Sequence, residues 1–215
     1  MRAIKTFMSR RAALATAIVA SAALIAGCTG GGANAPAEGD MAMGAAEGAK
    51  VTVVEYASVT CHVCAAWHNE NWEAFKTRYV DTDKVRFVFR EIPTPPANVA
   101  VAGFQIARCA GDDKYFDVVH AIMESQGEWQ AGGNPRDTLF RIGNGAGLTN
   151  SQIETCIKNP EGIEQIEARA RAATSAGVSG TPSFFVNGRQ IVSPGSQSGP
   201  TLADISTAIE EELKK

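Results

Sequence analysis

A C-x-x-C preceded by a short apolar, β-rich run, VTVVEYASVTCHVCAAWH at residues 51–68, constrains the fold more than any other stretch of the chain. Residues 51–56 are β-branched or aromatic apart from one acid, Glu55, the pattern of a buried strand. A polar break at 58–60 follows. Ala65, Trp67, Trp72, Phe75 and Tyr79 then recur at helical spacing, so Cys61 and Cys64 fall on the first turn of a helix. The unpaired amides and positive dipole end of such a turn favour an anion, which makes the exposed Cys61 the expected attacking thiolate. A three-residue offset puts both sulfurs on nearly one face, within reach of a disulfide across the turn. Attack by Cys61, a mixed disulfide with a partner and resolution by Cys64 are the expected steps. A structural disulfide or half of a zinc site are the alternatives for a C-x-x-C alone, and the strand and helix around this one favour redox chemistry.

The N-terminus reads as an export signal. Arg2, Lys5, Arg10 and Arg11 stand without an acid, residues 12–26 are small and apolar, and Gly27-Cys28 closes the segment. Leu24-Ile25-Ala26-Gly27-Cys28 resembles the lipobox of bacterial lipoproteins, which implies cleavage after residue 27 and lipid on Cys28; an ordinary signal cut nearby is the alternative. Loss of those four cations leaves 16 basic residues against 23 acids, a balance that argues against nucleic-acid binding. Residues 28–47 are rich in Gly and Ala with little to bury, and are expected to form a flexible tether, with folding beginning between Asp40 and Val51.

With Cys28 lipidated, four thiols remain and can pair in three ways. Cys61 with Cys64 is the local pairing and leaves Cys109 for Cys156. Both of these lie among apolar residues of predicted helices and are expected to form a structural bridge; a second redox relay is the alternative, without a C-x-x-C neighbour to support it. Residues 84–90 alternate charged and apolar side chains and predict a second strand ending at Ile92-Pro93, which makes a βαβ unit with parallel strands and puts the dithiol beyond the carboxyl end of the first. Residues 97–176 read as four or five short helices, with the glycines at 143–147 as a helix end and loop.

Towards the C-terminus, Thr181-Pro182 precedes a hairpin predicted from Phe184 to Val186 and from Gln190 to Val192 around Asn187-Gly188. An amphipathic helix from residue 200 onward ends the chain.

Together, the strand with Glu55, the CHVC at a helix start, the helical insertion and GTPSFFVNG before a hairpin and last helix resemble the DsbA-like branch of the thioredoxin superfamily. The resemblance implies an α/β fold, a thioredoxin fold with an inserted all-helical domain. Its thioredoxin parts are 48–96 and 177–215, and its insertion 97–176. It further implies that Cys61 is the nucleophile, that Cys64 resolves, and that Thr181-Pro182 forms a cis-proline loop facing the dithiol, where Thr181 contacts an extended substrate segment. Glu55 resembles the buried acid this family places beneath its dithiol, taking or relaying the Cys64 proton. The strongly oxidising relatives carry Pro-His between the cysteines, whereas here His62-Val63 puts the imidazole at the other position, from which it would still lower the Cys61 pKa. His68 and His120 read as surface or half-buried helix residues.

The resulting expectation is a monomeric thiol:disulfide oxidoreductase on the periplasmic side of a bacterial membrane, lipid-anchored at Cys28. It would need no cofactor, act on cysteine-containing exported proteins and be reset by a membrane redox partner. Disulfide donation is the favoured direction. An isomerase or reductase kept reduced by a membrane partner is the alternative, and a copper- or zinc-binding module using Cys61 and Cys64 is the alternative of another class.

Overall fold

The structure, a computed structural model, describes residues 36–215. The export segment, Cys28 and residues up to 35 lie outside the described residues. Strand β2 (Thr52–Ala57) is buried along nearly its whole length, as its β-branched run requires, and pairs in parallel with β3 (Arg86–Glu91). Between them lie α1 (His62–Phe75) and a π-helical turn, Lys76–Val80. On the other side β2 pairs antiparallel with β4 (Ser183–Val186), which turns at Asn187-Gly188 into β5 (Arg189–Gln190). Both turn residues have positive φ, 46° and 80°, which suits a tight hairpin.

One expectation is corrected at the N-terminal edge. Met41–Gly44, inside the stretch read as a tether, is a strand, β1, antiparallel to β3, giving the sheet order β1-β3-β2-β4-β5. Only Met41 of its four side chains is buried, so backbone pairing holds it, helped by Asp40, whose carboxylate receives two hydrogen bonds from Arg90 at 2.8 Å.

Between β3 and β4 the chain forms α2 (Ala97–Cys109), α3 (Tyr115–Glu124), α4 (Gln126–Gln130), α5 (Pro135–Gly145), α6 (Asn150–Ile157) and α7 (Pro160–Ser175). These are six helices where four or five were expected. The extra break falls at Ser125, whose side chain bonds back to the Ile122 carbonyl and which carries no Gly or Pro signal. Gly143 lies within α5, where α6 packs so close that a Cβ would meet Ile153 at 2.7 Å. The last helix, α8 (Leu202–Lys214), is capped by Thr201.

Alternation along the strands sorts the core. Val53, Phe87, Phe89, Phe184 and Val186 face Trp67, Trp72 and Phe75 of α1 and Ile205 and Ile209 of α8. Val54, Tyr56, Val88 and Phe185 pack on the other face with Ala173 and Val178. Glu91, fully buried at the end of β3, ties the sheet to the insertion through Arg108 of α2 at 2.7 Å, Arg169 of α7 at 2.7 Å and the Tyr115 hydroxyl of α3 at 3.0 Å.

Cys109 and Cys156 are joined in a disulfide that pins α2 to α6 across 47 residues of chain. Opening a loop of that length costs about 4 kcal/mol by chain-entropy reasoning. The paired substitution Cys109→Ala, Cys156→Ala is therefore expected to lower the urea-unfolding free energy by up to about that amount, while leaving the titration of Cys61 where it is.

Candidate active site

Cys61 is the N-cap of α1, with extended backbone (φ −81°, ψ 114°), and its Sγ accepts the Cys64 amide at 3.3 Å. A sulfur here does what an N-cap oxygen does, satisfying a free amide of the first turn. The turn is held from three sides. Thr60 Oγ1 donates to the Thr94 carbonyl at 2.8 Å, fixing the approach from β2. Gln126, buried on α4, donates to the carbonyls of Val59 (2.8 Å) and Cys61 (3.3 Å). Trp67 Nε1 donates to the Pro200 carbonyl at 2.8 Å, locking α1 to the loop before α8.

Thr181-Pro182 is a cis peptide, and its position is set directly: the Cys61 Sγ lies 3.5 Å from the Thr181 carbonyl oxygen. Cys61, Cys64, Thr181 and Pro182, chosen from separate parts of the sequence, thus meet at one place.

Both thiols are free, and their environments drive them apart. Cys61, half-buried, has its pKa lowered from 9.0 to about 6, first by the hydrogen bond with the Cys64 side chain, then by Thr181 and the amides of Cys64 and Val63, against the opposing effect of burial. Cys64 is fully buried and its pKa is raised, first by burial, then by the hydrogen bond and charge of Cys61, with Glu55 adding to the effect. One cysteine is therefore a thiolate at neutral pH and the other a thiol.

Glu55 lies wholly buried on β2, and both its oxygens meet Nε2 of His68, at 2.9 and 3.0 Å. This corrects the placement of His68 near the surface. It is 5 % exposed and follows Cys64 by four residues in the stripe that continues to Trp72, a spacing that already pointed it inward. His120 is half-buried beside it, ring centroids 5.0 Å apart. His62 is exposed and makes no hydrogen bond to the Cys61 sulfur, so the lowering of that thiol comes from Cys64, Thr181 and backbone amides; Val63 contributes through its amide. Gln126 and the Thr60–Thr94 contact had no sequence signal. Among the described residues no group of three or more His, Cys, Asp or Glu is arranged to hold a metal ion.

A mixed sheet whose βαβ unit presents an N-capping cysteine to a cis-proline loop defines a thioredoxin-type dithiol protein. Residues 36–211 match the thioredoxin family, and the chain belongs to it. It is 34% identical over 180 residues, 83% of this chain and 68% of the relative, to a Rickettsia bellii protein named as a protein-disulfide oxidoreductase. A similarly named Rickettsia conorii protein is 33% identical over 83% of this chain and 63% of its own length, so the chain spans about two thirds of these relatives. The fold is also that of Wolbachia pipientis alpha-DsbA1, with a TM-score of 0.71 at 22% identity, covering 83% of this chain and 93% of that one. The class is that of protein thiol–disulfide oxidoreductases.

The asymmetry has a measurable consequence. Between about pH 6 and 9 the Cys61 thiol is ionised in the folded reduced protein but protonated in the unfolded chain, which therefore binds more protons. The reduced protein should gain stability as pH rises through this window and lose that contribution as pH falls through about 6. Thiolate absorbance should titrate with the same midpoint, and Cys64→Ala should move the midpoint upward by removing the largest lowering contact. A midpoint unmoved by that substitution would contradict the assignment.

Proposed function

We propose that the chain is a disulfide donor for exported proteins, working through Cys61 and Cys64. The observation that carries this reading is the opposed ionisation of the two sulfurs on one helical turn. A stabilised Cys61 thiolate favours the dithiol form and so makes the disulfide an oxidant. A substrate thiolate attacks Cys61 Sγ, the S–S bond breaks and its electron pair goes to Cys64 Sγ, which takes up a proton because burial disfavours its thiolate. A second substrate thiolate then attacks the substrate sulfur bonded to Cys61, closing the substrate disulfide and releasing Cys61 as thiolate.

Thr181, with its backbone beside the Cys61 sulfur, would receive an extended substrate segment by strand addition. Glu55 serves as the buried acid and base for Cys64, since its charge is felt there and no solvent reaches either group. His62 is a surface residue near the site rather than its main tuning element. The lipobox-like end of the leader supports anchoring through Cys28 on the periplasmic side of a bacterial membrane, as a monomer. A membrane oxidant would then reset the dithiol. Among the described residues no helix is long and apolar enough to cross a membrane.

A second reading, isomerase or reductase, is favoured by one observation. A Cys61 pKa of about 6 lies nearer the roughly 7 of thioredoxin than the roughly 3.5 of DsbA. The deciding experiment measures the Cys61–Cys64 reduction potential and the reactivation of a fully reduced against a scrambled disulfide substrate. Donation predicts that the oxidised protein reactivates the reduced substrate and that Cys61→Ala abolishes this. Reactivation confined to scrambled substrate by the dithiol form would establish isomerisation instead.

A further inference from the structure

Cys64 must gain a proton each time it leaves the disulfide and lose one each time it attacks again, yet neither it nor Glu55 touches solvent. A carboxylate left alone at that depth is strongly disfavoured. Its only recorded polar partner among the described residues is His68, a group that itself titrates. Nε2 of His68 faces Glu55, while the opposite ring nitrogen, Nδ1, has no protein partner among the described residues. His68 and His120 line a cavity of about 250 Å³ formed from α1, α3 and Met43, and its rim includes the exposed Asn69, Glu73, Asp117 and Glu124. His68 thus brings a buried ring nitrogen without a partner among the described residues to the lining of a cavity large enough for water.

We propose that His68 is a positioning residue that keeps the buried acid electrically compensated, taking a proton at Nδ1 from this cavity as Glu55 gives its own to Cys64, and returning it in the reverse step. The proposal rests on the reading of Glu55 given above. In the disulfide form Glu55 is a neutral acid and His68 a neutral imidazole with its proton on Nε2. Substrate thiolate attack forms the bond to Cys61 Sγ and leaves the electron pair on Cys64 Sγ. The Glu55 proton moves to that sulfur, and a proton from the cavity binds Nδ1. Cys64 is then a thiol, and the buried pair is carboxylate and imidazolium, without net charge. When the dithiol is reoxidised, Cys64 returns its proton to Glu55, His68 releases Nδ1–H to the cavity, and Nε2–H stays on the carboxylate throughout. No change of tautomer is left to undo.

The surrounding charges allow this exchange. Glu73 of α1, Asp117 and Glu124 of α3, and Lys76 line the same cavity. His120 adds no competing cation, because burial first, then the charges of His68 and Lys76, lower its pKa to about 3.

The test uses the full chain in both redox forms. Nitrogen-15 NMR of the histidine rings at neutral pH should show His68 protonated on Nε2 alone in the disulfide form and on both nitrogens in the dithiol form. In single-turnover reduction of the disulfide by reduced glutathione, followed through tryptophan fluorescence, His68→Gln should slow reaction by about 100-fold, the low end of what positioned proton transfer contributes. It should also flatten the pH profile while the Cys61 titration keeps its midpoint. Identical His68 protonation in the two forms overturns the proposal, whether or not the variant folds. So does a His68→Gln profile that matches the unsubstituted chain while Glu55→Gln is slowed. If both variants match it, the role given to Glu55 falls as well.

Discussion

The contact between the Cys64 amide and the Cys61 sulfur is the constraint around which the site is built. An N-cap needs an acceptor three residues before the amide it satisfies, and a C-x-x-C places the second cysteine at that amide. Capping the helix therefore also contributes to activating the thiol, beside the larger effect of the Cys64 side chain. The same spacing points the Cys64 side chain inward, where burial holds it as a thiol. The first cause of each shift is the partner cysteine or burial, and His62 is exposed.

The two buried acids on neighbouring strands show what separates a structural carboxylate from a working one. Glu91 is held by two guanidinium groups and a tyrosine hydroxyl, all close to 3 Å or shorter. Burial lowers the pKa of Arg108, but the hydrogen bond and charge of Glu91 outweigh it and raise the net value. Arginine cannot discharge in a protein, so the two guanidinium groups are a permanent clamp on Glu91, which serves as a joint between β3 and three helices. Removing one partner of such a group strands a charge, which costs about 3–5 kcal/mol. Glu55 has instead a single histidine. Its partner can lose its charge, so the pair has two neutral arrangements, and only such a pair can follow a proton entering and leaving Cys64.

What could be read from the sequence follows the same division. The β2 run, the capped dithiol, the Asn187-Gly188 turn and the amphipathic α8 are local, each written in the residues that form it. Thr181-Pro182 was legible only through family resemblance, because 120 residues separate Thr181 from the sulfur its carbonyl meets. Strand β1 was not legible, since a Met-Ala-Met-Gly segment carries almost no β signal and owes its conformation to β3. His68 was missed for a different reason. Its position in the apolar stripe of α1 was visible, but a histidine in that stripe is credible only when a buried acid on another element is known to face it.

Two long-range hydrogen bonds from Gln126 then explain why the insertion belongs to the active site although it supplies no sulfur to it. An N-cap sulfur poised against its own helix tolerates little rotation, since a shift of the turn lengthens the Cys64 contact and releases the thiolate. Gln126 of the insertion grips the carbonyls on both sides of Thr60, and its alignment depends on α4 packing on α3 and on the hydrogen bonds from Thr138 and Arg141 of α5 to Glu128 of α4. That packing is in turn anchored to the sheet by Glu91 and, through α2, to α6 by the disulfide. Helix packing anchored at Glu91 holds one amide group beside the reactive turn, so the helical domain acts on the chemistry by keeping the capping geometry from relaxing, while the disulfide contributes to stability.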